Sequence, residues 1–128
     1  MKRILFSLFM LLAVLFGRAG SSGVIELKSG EELPVPTVGK AVIVDFNATW
    51  CMPCRMFRPA FERVAGEFAD KAVFVSVDID NCPSLARKFG VKSIPYVVVL
   101  RDGAEPIVRL GAMSADEFRQ FVGSSLSD

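Results

Sequence analysis

The sequence contains no histidine, a single tryptophan, a single tyrosine and only three cysteines in 128 residues. Without histidine, imidazole general bases and His-bearing metal centres are excluded. Three thiols fall short of the four soft ligands of a structural zinc site, so no metal is expected. Net charge is nearly absent as well: 15 Lys and Arg stand against 14 Asp and Glu, a balance of +1. Such a chain has no bulk field to gather nucleic acid or coat an anionic membrane, so its partners must be recognised by local shape and chemistry. There are no internal repeats, charge runs or low-complexity segments. What remains is a 52% apolar chain sized for one domain, whose chemistry must run on thiols and carboxylates.

A long apolar run is also lacking. Met1-Lys2-Arg3 leads into a stretch from Ile4 to Phe16, 13 residues against the roughly 20 that a membrane-spanning helix needs. A basic start, a short apolar segment and the small residues Gly17 and Ala19 outline a secretory signal peptide over residues 1–19, with Arg18 an unhelpful neighbour of the cleavage point. The alternatives are a retained N-terminal membrane anchor or a buried core helix. Cleavage after Ala19 would remove Lys2, Arg3 and Arg18 but no acid, so 15 basic residues fall to 12 against 14 acidic ones, a net charge of −2. Residues 20–128 then form the domain.

Along that domain, short apolar runs alternate with amphipathic stretches, the pattern of an α/β fold. Val24 to Leu27 is a weak first strand, and Pro34 and Pro36 keep the next segment extended. Ala41 to Phe46 is a continuous apolar run, as in a strand covered on both faces, and Ala72 to Val77 is a second. Between them, Phe57, Phe61, Val64, Ala65 and Phe68 recur at helical spacing over Arg55 to Ala69, with Pro59 expected to kink the helix. A short helix from Ser84 to Phe89 is opened by Pro83 and closed by Gly90. Strands Tyr96 to Leu100 and Ile107 to Leu110 are joined through Asp102-Gly103, and Ser114 with Glu117 forms a capping box for a final helix. From Ala41 onward the order is β α β α β β α.

The chemical centre follows the strongest strand: Asn47-Ala48-Thr49-Trp50-Cys51-Met52-Pro53-Cys54 opens the longest helix. Two thiols so spaced can close a small disulfide ring. Cys51 stands where free backbone N–H groups and the helix dipole favour an anion, which lowers its pKa below the usual value of about 8.5. Cys54, a turn further in and more covered, is suited to resolve a mixed disulfide. Half of a zinc knuckle has the same spacing, but there is no second such pair and no histidine, and the motif lies at a strand-to-helix junction; a merely structural pair is the alternative to redox chemistry.

Val44-Asp45-Phe46 followed by Trp50-Cys51-Met52-Pro53-Cys54 resembles the thioredoxin family, and the likeness continues through Pro59, Ile94-Pro95, Gly103 and Gly111. The resemblance implies a thioredoxin fold, a central mixed β-sheet flanked by helices. It implies that Cys51 is the nucleophile, Cys54 the resolving thiol and Asp45 a buried proton relay behind Cys54. A carboxylate inside an apolar strand is costly to bury, so its pKa should rise; the alternative is a strand-end group facing water. Pro95 resembles the family's cis-proline, which would present the backbone of Ile94 to substrate, unless it is an ordinary trans turn proline. Trp50 resembles the tryptophan beside the active site, or fills the core. With Met52 and Pro53, these residues make the expected substrate-binding surface, and no cofactor beyond the dithiol is implied.

Two departures bear on direction. Met52-Pro53 replaces the Gly-Pro usual in thioredoxin, but proline before the second cysteine is shared with reducing members, whereas oxidants and isomerases usually place histidine there. Ser76 stands where cytosolic thioredoxins commonly have lysine near the buried Asp, and loss of that cation should leave Asp45 more readily protonated. Cys82, before the short helix, reads as an inert filler rather than a reactive thiol. The expected function is a monomeric, extracytoplasmic, periplasm-type thiol-disulfide oxidoreductase reducing protein disulfides with electrons from a membrane thiol protein. A disulfide oxidant or isomerase on the same site, and a thioredoxin-like adaptor or chaperone, are the rivals.

Overall fold

A computed structural model describes residues 23–127, so the apolar run and the expected cleavage point lie outside the described residues. The elements are β1 (Val24–Glu26), β2 (Ala41–Asn47), α1 (Met52–Glu67), β3 (Ala72–Asp78), α2 (Pro83–Lys88), β4 (Tyr96–Leu100), β5 (Ile107–Leu110) and α3 (Ala115–Leu126). The five strands form one mixed sheet in the order β1-β3-β2-β4-β5. β1, β3 and β2 are parallel, while β4 runs antiparallel to both β2 and β5. The expected α/β architecture is therefore present, with β2 at the centre of the sheet.

Alternation along β2 divides the core. Ile43, with Phe74, Val97 and Val99, faces Phe57 and Phe61 of α1 and Phe118 and Val122 of α3. Val42, Val44 and Phe46 face the other way, against Leu85, Ala86 and Phe89. Because successive side chains point to opposite faces, Asp45 shares the α1 side with Ile43. Phe118 anchors that side, its ring 5.1 Å from Phe57 and 5.4 Å from Phe61. Burying each such phenyl ring contributes about 2–3 kcal/mol, which makes this layer a rigid floor for the site at its edge.

The helix ends have identifiable causes. Cys51 caps α1 by accepting the Cys54 N–H on its side chain, so the helix starts at Met52, three residues before the apolar periodicity begins. That cap corrects the Arg55 start and puts Cys54 within the first turn. The helix then runs through Pro59 as one element, although proline lacks the N–H that would bond the Arg55 carbonyl. At the end of α2, Gly90 takes φ +66°, and its N–H and that of Val91 bond the carbonyls of Arg87 and Ala86, closing a Schellman motif. Ser114 and Glu117 exchange the two hydrogen bonds of a capping box at α3.

Candidate active site

Cys51 and Cys54 are joined in a disulfide with their Cα atoms 5.3 Å apart. Both are nearly covered, at 6% and 4% exposure, so exposure barely distinguishes them. Hydrogen bonding does. Cys51 Sγ accepts the backbone N–H of Cys54 at 3.3 Å, so a free N–H of the first helical turn is aimed at that sulfur. Such a donor, together with the positive end of a 16-residue helix, stabilises a thiolate at Cys51.

Around the disulfide lie both apolar cover and backbone acceptors. Ala48 packs with the two cysteines, and Ile79 and Ile94 close over them. The Ile94–Pro95 bond is cis, Pro95 is buried, and the Ile94 carbonyl oxygen lies 3.9 Å from Cys51 Sγ. Trp50 and Met52 are 68% and 60% exposed, and Pro53 is exposed beside them. Trp50 is thus no core filler: its indole N–H donates to Asp80 Oδ2 at 2.8 Å, fixing a ring that stands in solvent.

Asp45 is 1% exposed. It lies between Ser76 of β3 and Val97 of β4 in the sheet register, two residues before the end of β2. Burial pushes its carboxyl up from the ordinary value of 3.8 to about 7, against smaller lowering effects from Asn47 and the Arg58 charge and a raising effect from Glu26. Asn47 Nδ2 donates to the Asp45 carbonyl at 3.0 Å and lies 3.4 Å from Oδ2. Oδ1 is buried with no hydrogen-bond partner among the described residues, leaving one oxygen free to accept a proton. The water-facing alternative for this carboxylate is ruled out.

The thioredoxin family profile matches residues 34–124, more than half of the chain. This chain belongs to the thioredoxin family. Among similar curated proteins, thioredoxin H2-2 of Oryza sativa subsp. japonica is 40% identical over 88 residues, 69% of this chain and 64% of that protein. The thioredoxin of Staphylococcus saprophyticus is 49% identical over 65 residues, 51% of this chain and 62% of that protein. The chain thus spans somewhat under two thirds of the length of these relatives. A crystal structure of chloroplastic thioredoxin z superposes with a TM-score of 0.69 at 30% identity, covering 79% of this chain and 92% of that one.

Against the thioredoxin pattern, the Ser76 departure reads differently in three dimensions. The cation missing from β3 is supplied by α1, because Arg58 Nη1 donates to Ser76 Oγ at 3.0 Å and its charge lowers the Asp45 pKa. The expectation that Asp45 had lost its cation is corrected; its high pKa arises from burial instead. Arg58 and Asn47 are the residues that sequence reasoning missed. A usable signal was present in the small, polar Ser76 within an otherwise apolar strand, since a hydroxyl buried there needs a partner.

Cys82 caps α2 without a side-chain hydrogen bond, its buried sulfur facing the carbonyl oxygens of Leu27 at 4.0 Å and Lys28 at 3.8 Å. Burial raises its thiol pKa, and the charges of Asp78 and Glu31 raise it further. The inert reading fits these surroundings.

Proposed function

We propose that this protein is a thiol-disulfide oxidoreductase that reduces protein disulfides outside the cytoplasm. The observation that carries the reading is the Cys51–Cys54 disulfide at the start of α1, with a helix N–H aimed at Cys51 and the Ile94 carbonyl beside it. An extended segment of the substrate lies along Ile94 and Pro95, over the exposed surface of Trp50, Met52 and Pro53.

In the reduced protein, the Cys51 thiolate attacks one sulfur of the substrate disulfide. A Cys51–substrate S–S bond forms, and the other substrate sulfur leaves with the electron pair and takes a proton from solvent. Asp45 then accepts the Cys54 proton, and the Cys54 thiolate attacks Cys51 Sγ. The Cys51–Cys54 bond forms, the mixed disulfide breaks, and the second substrate sulfur leaves as thiolate. Two electrons have passed to the substrate, and the protein is left as the disulfide seen here.

Direction is supported by composition: with proline before Cys54 and no histidine, nothing of that kind stabilises the reduced form enough to make a strong oxidant. Residues 1–19 support export. An oxidising compartment requires electrons from elsewhere, and the family resemblance implies a membrane thiol protein as the regenerating donor.

Insulin-disulfide reduction tests the activity. It should be lost in Cys51→Ser, while Cys54→Ser should trap substrate as a mixed disulfide; activity surviving Cys51→Ser overturns the assigned nucleophile. The reduction potential tests direction: a value near −270 mV, as in thioredoxin, supports a reductant, and one near about −120 mV would mark an oxidant.

A further inference from the structure

A chain of polar contacts runs from the protein surface to Asp45 on the α1 side of the sheet. Glu26 of β1 pairs with Arg58 Nη2, and Glu62 takes Arg58 Nε at 2.7 Å. Arg58 Nη1 donates to Ser76 Oγ, which also receives Asn47 Nδ2 at 2.8 Å. Asn47 in turn bonds the Asp45 carbonyl and approaches its carboxylate. Glu26, Arg58, Ser76 and Asn47 all line one cleft of about 570 Å³, with Asp78 and Lys28 among its other walls. The chain therefore joins a buried group to a solvent-connected cleft through residues of β1, α1, β3 and β2.

We infer that Arg58 is a positioning residue of the Asp45 carboxyl: clamped by Glu26 and Glu62 and linked through Ser76 to Asn47, it holds Asn47 against Asp45 and adjusts the carboxyl's hold on the proton taken from Cys54. The inference rests on the reading of Asp45 as proton acceptor. Arg58 does not carry the proton, because a guanidinium stays charged at any working pH. It acts through the field and through the placement of Asn47.

The other groups around Asp45 leave the balance to few charges. From α1 comes Arg58; from β1 comes Glu26, whose charge opposes that of Arg58. β3 sets uncharged Ser76 opposite Asp45, with Asp78 two residues on, opposite Asn47. β4 contributes apolar Val97. On top of the larger effect of burial, the charges acting on Asp45 are thus one cation and one anion that are themselves paired.

The test is an NMR titration of the Asp45 carboxyl in the reduced protein, with the pH profile of mixed-disulfide resolution measured alongside. Arg58→Met, which keeps an apolar stem, should raise the Asp45 midpoint by about one pH unit, a roughly tenfold gain in proton affinity, and shift the rate profile with it. Arg58→Lys should restore most of the shift. Glu26→Gln, at a side chain 60% exposed, should move the midpoint the opposite way by a few tenths of a unit. Both variants break the same ion pair, so opposite signs separate tuning from general loosening. If Arg58→Met fails to fold, Arg58→Lys and Glu26→Gln still decide. An Asp45 midpoint that stays within about 0.2 unit, or that moves the same way in Arg58→Met and Glu26→Gln, overturns the inference. Asp45→Asn separates the two readings. If resolution at pH 7 is unchanged in it, the proton-acceptor role falls, and with it the catalytic meaning of Arg58. If resolution slows but the Arg58 variants leave the midpoint unmoved, only the inference falls.

Discussion

Cys51 and Cys82 occupy the same formal position. Each caps a helix, each is followed by proline within the first turn, and each is 6% exposed. Yet Cys51 is half of a disulfide, and Cys82 is a free thiol whose pKa is raised. The difference lies in what each sulfur faces. Both sulfurs have backbone carbonyls near them, Ile94 beside Cys51 and Leu27 and Lys28 beside Cys82, but only Cys51 accepts a backbone N–H, and Cys82 has Asp78 and Glu31 nearby. Helix length adds to this: α1 has 16 residues and α2 only 6, so the dipole behind Cys82 is short. A helix start makes a thiolate only when its donors are aimed at the sulfur and no anion answers them.

The largest expected effect breaks the comparison outright. Cys51→Ser should lower disulfide reduction by at least about 10³-fold in an insulin turbidity assay, since a serine hydroxyl does not ionise near neutrality, while Cys82→Ser should stay within about twofold of the unaltered protein. A large loss in Cys82→Ser would show that the second thiol takes part in the cycle.

Asp45 sharpens the comparison from the carboxylate side. Its folded pKa of about 7 lies above the ordinary 3.8, so the stability associated with its protonated form is complete below pH 3.8 and is lost as pH climbs through about 7. Asp45→Asn should remove that slope and stabilise the oxidised protein at pH 8 by up to about 4 kcal/mol, read from urea unfolding at pH 4, 6 and 8. Equal stability of the two proteins at pH 8 would mean that the carboxylate is not held in a low-dielectric site.

A smaller effect belongs to Cys82. Asp78→Asn and Glu31→Gln each remove a repelling charge, and each should lower its alkylation midpoint without bringing it to neutrality, because burial is the larger cause and remains. A drop to neutrality on removing either charge would make electrostatics, not cover, the reason for its inertness.

How far the sequence reaches follows from the range of each interaction. Ala41–Asn47, the Phe57-Phe61-Val64 stripe and the Ser114 cap were legible because hydrophobic period and capping are local. The dithiol was legible for the same reason, its two cysteines being three residues apart. Arg58 was not: its partner Glu26 is 32 residues away and Ser76 is 18 away, and only the register that sets Asp45 opposite Ser76 brings them together. Likewise the exposure of Trp50 depends on Asp80, 30 residues on, holding its indole outward. Residue types announced that thiol chemistry was possible; strand register decided which charges would attend it.

Cys51 and Cys82 can be compared in one tube. The reduced protein, alkylated with iodoacetamide across a pH series and mapped by peptide mass, gives a midpoint for each thiol. The arrangement described here requires Cys51 to titrate below the usual thiol value of about 8.5 and Cys82 above it. A Cys82 that alkylates at neutral pH as fast as Cys51 would contradict it.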